Sequence, residues 1–210
     1  MVCGAIGLNQ LDAQPTPLLG EVSDNQYHAP TGEYAINLPV QPDLGGTITD
    51  TREVVTFQDG ISLHASIACF SLNSAQKREE QTRGRRDYLI WFFRNQVQTQ
   101  FQKRFEQATT ESARFIPEML DGSLMAFSLL PGGSMFGERI PAPHDGSLPT
   151  AKRGNLLFLH HDHLYVVSLE LAKLLLDESI GQLTDEEQNE ILRQRLVDLI
   201  ARITFKVPFN

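Results

Sequence analysis

The chain has little of what builds a redox or metal framework: two cysteines, Cys3 and Cys69, among 210 residues. Two thiols make neither a disulfide lattice nor an all-cysteine zinc site. Long apolar runs are also missing. No stretch of about 18 apolar residues occurs, which excludes a bilayer-spanning helix. Positive charge is the minority, with 18 Lys and Arg against 26 Asp and Glu, for a net charge of −8. Such a chain repels phosphate backbones, so nucleic acid is not an expected partner. It has no charge attraction of its own for anionic lipid. Met1 is followed by Val2, Cys3 and Gly4, with no basic and then apolar segment, so no signal peptide is read there. Catalytic signatures are scarce as well. There is no G-x-S-x-G elbow, and Gly132-Gly133-Ser134 lacks the lysine and spacing of a phosphate loop. No pair of carboxylates stands out for acid–base work. No cofactor is expected.

What is present reads as one globular domain. Apolar residues make up 41% and charged residues 21%, a composition that folds. Residues 1–28 hold Pro15, Pro17 and many polar residues without periodicity. They are expected to form a flexible leader, because proline and the residue before it disfavour helix. Residues 29–210 are expected to form a single α+β domain. Tyr34, Ile36 and Leu38 alternate with polar residues up to Pro39, a half-buried strand. Two further strands flank Asp59-Gly60, a hairpin signal. In the second of them Ile61, Leu63, Ala65, Ile67 and Cys69 share a face, and Ser62, His64, Ser66 and Ala68 share the other. That period predicts a sheet with one buried face.

Residues 73–86 read as a polar, charged connection. From Asp87 to Gln107, Leu89, Phe93, Val97, Phe101 and Phe105 recur every four residues, with Ile90 and Trp91 beside them. This predicts an aromatic helix lying flat on the sheet, with Trp91, Phe93, Val97 and Phe101 against Ile61, Leu63 and Ile67. Strands follow around Asp121-Gly122 and around His160-His161-Asp162-His163. The Gly- and Pro-rich stretch 131–152 between them is long enough to be functional. Residues 170–180 are ambiguous between a strand end and a short helix. Thr184 and Glu187 form a capping box for a last helix with Leu192, Leu196, Leu199, Ile200 and Ile203 on its apolar stripe.

Three features carry candidate chemistry. His161 and His163 can share a face of the hairpin as metal ligands, with His160 pointing away. A plain solvent-exposed turn explains the same residues. Arg83, Arg85 and Arg86 can contact an anion or a partner, or form a solvated loop. Cys3, ahead of a polar tether, has the position of a lipid-attachment residue. An ordinary exposed cysteine of a cytoplasmic chain is the alternative.

The entry Tyr27-x-x-Pro30-x-Gly32-x-Tyr34-x-Ile36-x-x-Pro39, the pair ending Leu164-Tyr165-Val166-Val167, and the close Leu199-Ile200-Ala201-Arg202-Ile203-Thr204-Phe205 together resemble PsbP-like domains. That superfamily includes Mog-type Ran-binding proteins and DcrB-like bacterial lipoproteins. The resemblance covers about residues 27–206. It implies an antiparallel β-sheet of about six strands flanked by helices, an α/β/α sandwich. It also implies a binding or assembly role without a shared catalytic site, so no active-site residue carries over. The resulting expectation is a non-catalytic, extracytoplasmic domain that binds a protein partner. It would reach a membrane only through an anchor at Cys3. Two alternatives stand beside it. One is a metal-dependent enzyme or sensor built on the His160–His163 turn. The other is a small-ligand carrier with 131–152 as its lid.

Overall fold

The computed structural model describes residues 17–59, 63–137, 148–171 and 183–207. Its centre is a seven-stranded antiparallel sheet. The outer half contains β4 (Thr47–Asp50), β5 (Val54–Gln58) and β6 (His64–Ser71). The inner and far strands are β7 (Thr109–Ile116), β8 (Ser123–Pro131), β9 (Thr150–His160) and β10 (His163–Leu171). Their order is β4-β5-β6-β10-β9-β8-β7. A second, four-stranded sheet joins β1 (Glu21–Ser23), β2 (Gln26–His28), β3 (Tyr34–Asn37) and β11 (Ile203–Phe205) in the order β1-β2-β3-β11. The fold is thus α+β with helices on the sheet, as expected, but the strands form two sheets where one of about six strands is predicted. The strands that the sequence pattern does not place, β1, β2, β4 and β11, are only three or four residues long, too short to show a period.

Both faces of the large sheet are covered. On the first face, Val55, Phe57, Ala65, Ile67, Cys69, Leu156, Phe158, Tyr165 and Val167 pack against the small sheet and against α4 (Asp185–Ile200). Phe158 stacks on Tyr165 with centroids 5.0 Å apart and planes 2° from parallel, and Phe205 of β11 meets Phe158 edge-on at 5.9 Å. Gly154 permits the close approach of α4: a Cβ there would stand 3.1 Å from Leu196 and 3.2 Å from Leu192. The Thr184–Glu187 capping box starts α4, and Leu192, Leu196 and Leu199 are its buried stripe. Ile203 leaves that stripe, since the helix ends at Ile200 and Ile203 pairs with Ile36 in the small sheet.

The opposite face carries the helical layer. α1 (Ser74–Arg83) precedes α2 (Arg85–Phe92), a π-helical turn over Phe93–Val97, and α3 (Gln98–Arg104). Tyr88, Leu89, Phe92 and Phe93 pack there on Leu124, Ala126, Leu157, Leu159, Leu164 and Val166. This corrects two expectations. β6 is covered on both faces, since on the second one His64 is 5% exposed and Ser66, Ala68 and Phe70 are half-buried. The aromatic helix lies on the side away from Ile67, which faces the small sheet and α4. Alternation along one strand shows that two faces differ. It does not show which element covers each. Ile61 lies outside the described residues.

The helical region itself is longer than predicted. α1 fills the stretch read as a connection. Asn73 accepts bonds from the Ala75 and Gln76 amides, and the Gln76 side chain accepts from Asn73 N. No residue of α1 is buried, so it shows no apolar stripe, and the cap is its only sequence signal. Gly84, at φ +77°, breaks α1 from α2. The π-turn has a plain cause in the four-residue stripe. Four residues advance an α-helix by about 400°, about 40° past a full turn. A widened turn absorbs that drift and keeps both Phe93 and Phe101 on the sheet, where they are 2% and 4% exposed.

Regular structure also begins earlier than predicted. β1 and β2 lie inside the stretch read as leader, and Tyr27 is 1% exposed. Asp50 of β4 accepts the Leu19 and Gly20 amides at 2.9 and 2.7 Å and the Tyr27 hydroxyl at 2.8 Å. A distant carboxylate thus orders a segment that has no pattern of its own. Among the described residues, no helix is long and apolar enough to cross a membrane.

Candidate partner-binding groove

A depression of about 720 Å³ runs between the helical layer and β7. The helix contributes Arg86, Ile90, Phe93 and Arg94. The strand contributes every residue from Thr110 to Phe115. Successive strand residues point to opposite faces, so an unbroken run of six lines a groove only when the groove follows the strand's edge. β7 is that edge: it pairs with β8 and ends the sheet order.

The groove is basic in an acidic chain. Arg86, Arg94 and Arg114 are exposed, and no hydrogen bond or ion pair engages their guanidinium groups among the described residues. The groove's acid, Glu111, is neutralised by Lys152 at 2.8 Å, which also reaches Asp185 at 3.3 Å. Three uncommitted guanidinium groups are strong donors for carboxylate or phosphate. Ile90, Phe93 and Phe115 add an apolar floor.

Only one arginine of the predicted trio reaches the groove. Arg86 lines it. Arg83 is paired with Glu79 at 2.6 Å and lies over the Trp91 ring at 5.4 Å. Arg85 donates to the Asp121 carbonyl. The three residues sit at the break between two helices, which turns them in different directions. Arg94 and Arg114 are not legible as partners of Arg86, since one lies in the aromatic helix and the other in a strand.

The histidine turn is arranged differently from the expectation. The β9–β10 register sets His163 opposite His160, so those two share a side of the hairpin, and His161 occupies the turn at φ 49°. His160 is 8% exposed, and its Nε2 meets the Val207 carbonyl. His163 Nδ1 stands 3.7 Å from Glu33. Among the described residues, no three His, Cys, Asp or Glu side chains group as metal ligands. Cys3 lies outside the described residues. Cys69 is a buried core thiol, 3% exposed, and burial pushes its pKa up to about 11. That is far from a reactive thiolate.

Part of the proposed lid, 138–147, lies outside the described residues. The part before it is strapped to the sheet. Met135 N donates to Glu170 at 3.3 Å, Arg104 donates to the Met135 carbonyl at 2.8 Å, and Gln58 donates to the Phe136 carbonyl at 3.3 Å. Beneath it lies a buried ion pair that the sequence reading missed: Arg153 Nη1 and Glu170 at 3.2 Å. The guanidinium sits between Phe101 at 5.5 Å and Phe136 at 4.9 Å. Burial pulls its pKa below the usual value, opposed by the Glu170 charge. Both residues lie in strands whose apolar neighbours hide them.

Fold and groove together define an antiparallel α+β sandwich with a basic edge at β7 that no described residue pairs. No family model and no curated protein matches the chain. Among solved structures, it is similar to the Saccharomyces cerevisiae Ran-binding protein Mog1p, with 9% identity over 90% of this chain and 96% of that one, at a TM-score of 0.44. A point mutant of the protein Mog1 gives 9% identity, 88% and 96% coverage, and 0.42. A Bacteroides thetaiotaomicron VPI-5482 protein gives 12% identity over 87% of this chain, at 0.40. This chain spans about half of that protein, 48% of its length.

Proposed function

We propose that this chain is a non-catalytic protein-binding domain that holds an acidic segment of a protein partner in the groove between the aromatic helix and β7. One observation carries the reading. In a chain of net charge −8, Arg86, Arg94 and Arg114 all line one groove, the first two from the helix and the third from the β7 edge, and the acid in its lining is already paired. Positive charge concentrated against the overall balance selects an acidic partner and speeds its approach.

A fluorescent peptide, acetyl-Glu-Val-Glu-Val-Glu-Val-Glu-amide, is the probe. Anisotropy titration should show saturable binding that weakens as salt rises. Replacing every Glu of the peptide by Gln should weaken it on the order of tenfold or more, as should the triple variant Arg86→Glu, Arg94→Glu, Arg114→Glu. Equal affinity for the Glu and Gln peptides, or no saturable binding, ends this reading.

A further inference from the structure

We infer that the partner segment enters this groove as an eighth strand of the large sheet, paired to β7 through its backbone. The inference rests on the protein-binding reading of the groove and adds how the partner is held.

The two edges of the sheet are unlike. The β4 edge is four residues long, and its Asp50 carboxylate is tied to the preceding chain at Leu19 and Gly20. The β7 edge is eight residues long, and no described residue pairs with its outer side. A register shift between Thr110 and Ser112 interrupts it once. From Ser112 to Ile116 the pairing with β8 is regular, Ser112 opposite Phe127 through Ile116 opposite Ser123. Five regular residues offer alternating amide and carbonyl groups at the spacing an extended chain needs. Sheets commonly protect such an edge with charge or a bulge. Here the bulge stands at one end, and the charge is of the sign that attracts an acidic chain.

Side chains around the edge specify the occupant. Phe115 packs with the helical layer and Ile116 with the opposite core, so Arg114 lies on the same side as Ile116. Arg86 and Arg94 stand on the helix side. An added strand therefore meets Ile90, Phe93 and Phe115 with the residues it turns toward the helix, and Arg114 with those it turns away. Arg86 and Arg94 receive acids at the flanks. The matching partner is an extended segment that alternates apolar and acidic residues. Charge complementarity fits the acidic positions, and the aromatic floor fits the apolar ones.

In an added strand, alternate amides face the sheet and the rest face solvent. The Glu-Val peptide is therefore made in two forms, N-methylated at the three Val residues or at the three central and C-terminal Glu residues. Strand addition predicts that one form loses on the order of tenfold in affinity or more and that the other binds within about twofold of the parent, because blocking a backbone donor disrupts pairing only on the facing edge. It also predicts that the unmodified peptide slows hydrogen exchange at amides within Ser112–Ile116. If the parent binds but both methylated forms behave alike and these amides gain no protection, strand addition is wrong and the acidic-groove reading stands. If the parent does not bind, both fall together.

Discussion

The two faces of the seven-stranded sheet are built on opposite principles. The face under α4 and the small sheet is a continuous apolar core, closed by the Phe158–Tyr165 stack and the Phe205 edge, with the buried polar groups Lys152 and His160 only at its margins. The face under the helical layer is divided. Its α2 end is apolar, and its far end carries Ser66, Asn155, Ser168 and the Arg153–Glu170 pair. Contact area stabilises the first face. The second is polar where the 134–137 strap replaces the helix, and each polar group there needs its own partner. The proposed partner groove opens on the helical side, away from the face that holds the larger apolar core.

The contrast between the two faces predicts unequal responses to substitution. The largest effect is expected from Phe158→Ala, which removes a fully buried ring from the continuous core. It should cost about 4–5 kcal/mol, read from the urea midpoint. A loss below about 1 kcal/mol would mean that this face is not the main source of stability. Next comes the divided face. Glu170→Leu strands a buried guanidinium and should cost about 3 kcal/mol. Adding Arg153→Met should restore stability to within about 1 kcal/mol of the native chain, because a buried pair repays little beyond its own desolvation. A double variant worse than the single one would show the pair to be net stabilising. Thr184→Ala removes the α4 cap and should cost about 1 kcal/mol.

The smallest effect is in pH dependence. Partial burial of Asp50 raises its pKa, but bonds from Leu19, Gly20 and Tyr27 outweigh it and hold the carboxyl below its usual value. Such a group adds stability that is complete above the unfolded aspartate pKa and lost as pH falls through the lower folded one. Acid denaturation of the native chain should therefore show a component that Asp50→Asn lacks. Identical acid profiles would mean that Asp50 does not tie residues 19–27 to the sheet.

Much of the fold is legible before any coordinates. The Thr184 box marks α4, Leu192, Leu196 and Leu199 mark its face, and the hairpins at Asp121-Gly122 and His161-Asp162 appear where turn chemistry places them. Other elements leave no trace. α1 buries nothing, so only its Asn73 cap speaks for it. The segment holding β1 and β2 is tied to Asp50 at Leu19, Gly20 and Tyr27, which lie 31, 30 and 23 positions away. The groove is the least legible feature. Arg86 is visible as one of a basic trio, whereas Arg94 and Arg114 join it only when a helix is laid beside an edge strand.

The sequence by itself determined the α+β class, the acidic balance, the aromatic helix and the capped final helix, because periodicity, caps and charge act over a few neighbouring residues. Tertiary structure alone decided which face the aromatic helix covers, the split into two sheets, the pairing of His160 with His163, and the gathering of Arg86, Arg94 and Arg114 at an open edge. Those depend on strand order and on contacts between residues far apart in the chain. One strand's alternation is the same whichever neighbours it meets, so no local pattern encodes them.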